Sequence, residues 1–74
     1  MARLVRMDQS GHSELAQWTA ADRGAYEAAA TVFDEQLQLG YMGVAKLADD
    51  SYEQVKRLPP DVDLVLLRRP IAGG

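Results

Sequence analysis

The chain contains no cysteine. That removes disulfides, thiolate zinc sites, iron–sulfur clusters and cysteine nucleophiles together. Its single histidine, His12, cannot alone build a histidine metal site or a charge-relay triad. Aromatics are scarce at 7%, and no apolar run exceeds a few residues, so neither a membrane span nor a signal-peptide core is expected. Lysine is limited to Lys46 and Lys56, and eleven acids outnumber eight bases to give a net charge of −3. A nucleic-acid binder would need the opposite balance. These absences make a cytoplasmic address the expectation, with no membrane and no nucleic-acid partner. Seventy-four residues suffice for one small domain with a marginal core, and 47% hydrophobic content is too high for a disordered chain.

Along the chain, Ala2 to Asp8 mixes apolar and charged residues at strand spacing. Gln9-Ser10-Gly11-His12 supplies turn chemistry, with Gly11 able to take positive φ, and Ser13 to Trp18 reads as the returning strand of a hairpin. Leu15, Ala16 and Trp18 break the alternation. Thr19, followed three residues later by Asp22, resembles a capping box with the shorter acid, and predicts a helix from Ala20 to Leu39. Tyr26, Ala29, Ala30, Phe33 and Leu37 fall on one face of that helix, and Gly40 stops it. Gly24 is a weak point within it. Strands are expected at Tyr41 to Leu47, more weakly at Tyr52 to Leu58, and at Val62 to Leu67, with Asp49-Asp50-Ser51 a turn and Pro59-Pro60-Asp61 a connection.

The order β-β-α-β-β-β in so few residues predicts an α+β, two-layer domain: a mixed sheet of four or five strands packed on one helix. The β-grasp is the arrangement that fits, with the last strand parallel to the first inside the sheet. Val62 to Leu67 is apolar on both faces, as a central strand would be. The helix can cover only one of them. The other is expected as an exposed partner face around Leu4, Val65 and Leu67, unless a loop or a second copy of the chain covers it.

That element order, the segment Asp63-Leu64-Val65-Leu66-Leu67-Arg68-Arg69 and the terminal Gly73-Gly74 resemble ubiquitin and its prokaryotic relatives. The chain is most similar to the short bacterial ubiquitin-like proteins encoded with E1-like, E2-like and deconjugating enzymes. Pro70-Ile71-Ala72 is interposed before the Gly-Gly, and the lysine-rich surface of ubiquitin is missing. The resemblance implies a β-grasp domain over residues 1–67 and a flexible tail over 68–74. It also implies that Gly74, with Gly73, is the site of adenylation and conjugation by an activating enzyme that consumes ATP. The modifier itself binds no cofactor. An E2-like protein, a deconjugating peptidase and a target protein are the further partners, and the bacterial systems of this kind are linked to antiviral defence.

The chemistry favours such a tail. A carboxylate that must attack the α-phosphate of ATP has to thread a narrow channel, and two glycines allow close backbone approach. Pro70 stiffens the approach, Ile71 offers an apolar contact, and Arg68 and Arg69 offer guanidinium forks to carboxylates on the activating enzyme. A sulfur carrier bearing a thiocarboxylate at Gly74 shares all of these features. A non-transferred interaction or assembly module using the apolar face is the third reading, and it makes Gly73 and Gly74 dispensable. No catalytic residue and no metal site emerges. His12 and Asp49-Asp50 read as solvated turn residues, and Asp34-Glu35 as a helix surface pair without a facing partner.

Overall fold

A computed structural model describes residues 1–8 and 11–69. The hairpin consists of β1 (Ala2–Asp8) and β2 (Gly11–Trp18), antiparallel, with Gly11 at φ +120° where the return strand begins. Opposite Leu4 and Val5 stand Ala16 and Glu14, so Leu15 has no counterpart on β1. This bulge is the physical cause of the broken alternation in β2: both Leu15 and Ala16 pack against the core.

Helix α1 spans Arg23–Gln38. Its N-cap is Asp22, whose carboxylate accepts from the Ala25 N–H at 3.0 Å. Thr19 is not the cap expected from the sequence; its carbonyl instead accepts from the Asp22 N–H in a preceding turn. An aspartate can accept as Thr would and adds charge at the positive helix end, which favours the shorter register. Gly24 therefore falls in the first turn, where a glycine costs less than in the interior. At the other end Leu39 is the C-cap and Gly40 takes φ +99°. The Gly40 N–H donates to the Leu37 carbonyl and the Tyr41 N–H to that of Gln36. That pair of bonds is a Schellman motif, with glycine at the left-handed position.

Then come β3 (Met42–Lys46), β4 (Tyr52–Val55) and β5 (Leu64–Arg68), the last two shorter or shifted relative to the expected strands. The sheet order is β2-β1-β5-β3-β4. β5 runs parallel to β1 and antiparallel to β3, and so occupies the centre of a five-stranded mixed sheet. The result is the expected α+β domain, one sheet and one helix, consistent with a β-grasp-like arrangement. Among the described residues no helix is long and apolar enough to cross a membrane.

The core lies between helix and sheet. Leu4, Phe33, Val65, Leu67, Ala29 and Ala45 have no solvent exposure. Trp18 packs edge-to-face on Tyr26, at 6.4 Å between ring centroids. Trp18 Nε1 donates to the Pro60 carbonyl at 3.2 Å, and the Tyr26 hydroxyl donates to that of Leu58. These two bonds tie the Pro59-Pro60 connection over the open end of the core, satisfying each polar atom the rings bring inside.

Candidate functional site

The pairing register assigns every side chain to a face. Leu4, Val65 and Leu67 lie in register with one another and with Gly43 and Ala45, under the helix. The expected partner face around Leu4, Val65 and Leu67 is therefore corrected: these three residues are the core and are fully enclosed. Both alternating sets of β5 are apolar, and the helix covers the set that excludes Arg68. The outward set is Leu64, Leu66 and Arg68, flanked by Val5 on β1 and by Met42 and Val44 on β3. Leu64, Leu66, Met42 and Val44 are half-buried, while Met7 on the same side of β1 is exposed. An apolar outer face does exist, made by the opposite residues.

The second region is the end of β5. Arg68 belongs to the strand, opposite Met42, and is exposed. Arg69 leaves the strand and returns to the body: its Nη2 donates to the Leu39 carbonyl at 3.3 Å. Its guanidinium carbon lies 5.2 Å from the centroid of the Tyr41 ring, a cation–π distance. β5 thus includes Arg68, one residue past the boundary expected at 67, and Arg69 still contacts the body. Pro70, Ile71, Gly73 and Gly74 lie outside the described residues, as do Gln9 and Ser10 of the expected turn.

A third arginine joins this place. Parallel pairing sets Arg6 of β1 beside Leu67, and its guanidinium carbon lies 5.6 Å from the same Tyr41 ring centroid. Arg6 Nη1 donates to Gln36 Oε1 at 3.4 Å, while Nε sits 3.8 Å from the Asp8 carboxylate. That Nε is shielded from solvent and makes no hydrogen bond among the described residues. Arg6, Arg68 and Arg69 make the end of β5 basic in a chain whose net charge is −3. The last turn of α1 has no basic residue, so Arg69 meets the negative end of the helix from thirty positions away. Sequence reasoning missed Arg6 and Tyr41, since only the parallel β1/β5 register brings them to Arg69. The available signal was Gly40, whose helix stop fixes Tyr41 just beyond it.

Elsewhere the chemistry is modest. Asp49 accepts from the Ser51 hydroxyl and from its N–H, and these bonds hold its carboxyl below the ordinary carboxylate value. Asp50 takes φ +68° in the same turn, with Lys46 Nζ at 3.5 Å. Among the described residues no three His, Asp or Glu side chains come together as a metal-ligand group. No family model, curated protein or solved structure matches this chain.

Proposed function

We propose that this chain is a ubiquitin-like modifier of the β-grasp type, activated through the carboxylate of Gly74 by an E1-like enzyme and joined to target proteins. The observation that supports this reading most is the position of β5. The strand that leads to the glycines is the central one, parallel to β1 and anchored by the fully enclosed Val65 and Leu67. A reactive tail extending from a rigid central strand is presented from a fixed base, whereas one extending from a frayed edge would not be.

On this reading the chain is the substrate and supplies no catalytic side chain. The Gly74 carboxylate attacks the α-phosphorus of ATP and pyrophosphate leaves, giving the acyl-adenylate. A thiolate of the activating enzyme then displaces AMP to form a thioester. Passage through an E2-like protein ends when a target amine displaces the thiol, and a deconjugating peptidase reverses the bond. Arg68, exposed beside the apolar outer face, offers a guanidinium fork to carboxylates on those enzymes. A cytoplasmic location, where ATP is at hand, belongs to the same proposal, as does a role in bacterial antiviral defence.

ATP–pyrophosphate exchange by the E1-like enzyme encoded with the chain tests the first step. The full chain supports exchange and a variant lacking Gly74 does not. If the two support exchange equally, the carboxylate of Gly74 is not the group activated. Sulfur transfer to the same adenylate would instead replace one carboxyl oxygen by sulfur, and intact mass separates that outcome from conjugation. The half-buried outer face of Leu64, Leu66, Met42 and Val44 favours a second reading, an interaction module that is never transferred and keeps its binding without the glycines.

A further inference from the structure

Two consecutive arginines at the end of β5 have different surroundings. Arg68 is exposed on the outer side of the sheet. Arg69 is exposed as well, but its guanidinium meets the Tyr41 ring and the Leu39 carbonyl at the end of α1. We propose that Tyr41 is a positioning residue: by holding Arg69, it fixes the end of β5 to which the residues carrying the Gly74 carboxylate are joined. The inference rests on the transfer reading and adds to it a residue outside the tail.

Tyr41 is suited to this work because its own place is fixed. It follows Gly40 in the Schellman motif, and its N–H is bonded to the Gln36 carbonyl at 3.1 Å. Its ring is half-buried, with Arg6 also lying over it, and Arg6 is in turn held by Gln36. Helix end, first strand and last strand therefore meet at one ring. Arg69 makes two contacts there: the ring face takes the guanidinium charge, and the Leu39 carbonyl takes one of its N–H groups. A guanidinium is flat and weakly hydrated, so it can do both at once, which the compact ammonium of lysine does poorly.

The consequence concerns reach. On the transfer reading the Gly74 carboxylate lies five residues beyond Arg69, a span of at most about 17 Å when fully extended. A carboxylate on so short a tether can enter a deep nucleotide site only if the base of the tether faces it. Fixing Arg69 in advance removes rotational freedom that would otherwise be lost on threading. Arg68, one residue earlier and pointing to the other side, stays available to the enzyme.

The test uses the full chain and the E1-like enzyme, with Tyr41→Leu, Tyr41→Phe, Arg69→Gln and the Tyr41→Leu/Arg69→Gln double variant. Tyr41→Leu raises the KM for the chain about two- to fivefold, the range of an exposed cation–π contact, and leaves kcat in place. Tyr41→Phe keeps the ring and behaves as the native chain. Arg69→Gln, which also loses the Leu39 bond, raises KM at least as much, and the double variant is no worse than Arg69→Gln alone, because the Tyr41 ring acts through Arg69. In NMR spectra, the Arg69 side-chain protons carry a ring-current shift that Tyr41→Leu abolishes and Tyr41→Phe retains. An active native chain with unchanged KM in Tyr41→Leu overturns the role of Tyr41 alone, as does full additivity in the double variant. Should Tyr41→Leu not fold, Arg69→Gln and Tyr41→Phe decide: an unchanged KM in the first, or a raised KM in the second, overturns it. A native chain that is never activated overturns the transfer reading, and the assignment of Tyr41 with it.

Discussion

Gly43 is a position where helix and sheet pack closely, and replacing it with alanine tests the assignment of faces. It lies on β3 beside Leu67 and Val55, directly under the ring of Phe33. A Cβ built there would stand 2.5 Å from Phe33 Cε1, 2.7 Å from Cζ and 3.3 Å from the Val55 carbonyl oxygen. Carbon atoms in contact prefer roughly 3.5–4.0 Å, so the ring has to retreat by about 1 Å. Phe33 has no exposed surface and thus no free volume to move into. Overpacking of this kind costs about 1–3 kcal/mol, and the better strand backbone of alanine returns about 0.5–1 kcal/mol. Gly43→Ala should therefore lose about 0–2.5 kcal/mol, lowering Tm by about 4–8 °C for each kcal/mol lost. Trp18, the single tryptophan and almost fully buried, reports urea unfolding by fluorescence. Adding Phe33→Leu to Gly43→Ala should cost less than the two single losses combined, because the smaller side chain vacates the space the new methyl needs. A Gly43→Ala chain more stable than the native one would mean that α1 does not press on this face. The distinction between inner and outer residues of β5 would then fall.

The same distinction predicts opposite outcomes for neighbouring residues: Leu67→Asp, which buries an unpaired carboxylate, should leave no cooperative unfolding transition, whereas Leu66→Asp should stay folded with a loss of about 1–2 kcal/mol. Circular dichroism on the two variants decides it, and equal behaviour would refute the face assignment. Asp49 should titrate below the ordinary carboxylate value by carboxyl-carbon NMR, because the Ser51 hydroxyl and N–H stabilise its ionised form. Since its folded pKa is the lower one, its contribution to stability is complete above the unfolded value and is lost as pH falls through the folded one. Ser51→Ala should bring the Asp49 midpoint back toward normal, and an unmoved midpoint would exclude the hydroxyl as the cause.

Element order was readable because each element carries its own punctuation. Gly40 ends the helix as expected, its Ala29 and Phe33 are enclosed, and Pro59-Pro60 can only be a connection. The central place of β5 was readable too, from apolar residues on both of its faces. The face turned to the helix was misjudged, because Leu64 with Leu66 and Val65 with Leu67 present equal hydrophobicity. The discriminating residue was Arg68: it shares its side with Leu64 and Leu66, and a charged residue ending that set marks it as outward. The N-cap shifted from Thr19 to Asp22 because each can accept the same kind of bond, and local pattern alone does not rank them. The contact of Arg6 and Arg69 with Tyr41 was hidden, since it depends on a pairing between chain positions sixty residues apart. Arginines 68 and 69 were grouped as one recognition element, and only the tertiary structure separates them.

The central claim is that the carboxylate of Gly74 becomes bonded to other molecules. Its most direct test is intact-protein mass spectrometry, with blotting, of the tagged full chain expressed beside the E1-like enzyme proposed as its partner. A chain lacking Gly74 is the control. The account predicts high-mass adducts of the native chain that disappear from the truncated one. Native and truncated chains giving the same mass profile, in the presence of an activating enzyme shown to be active, would contradict it.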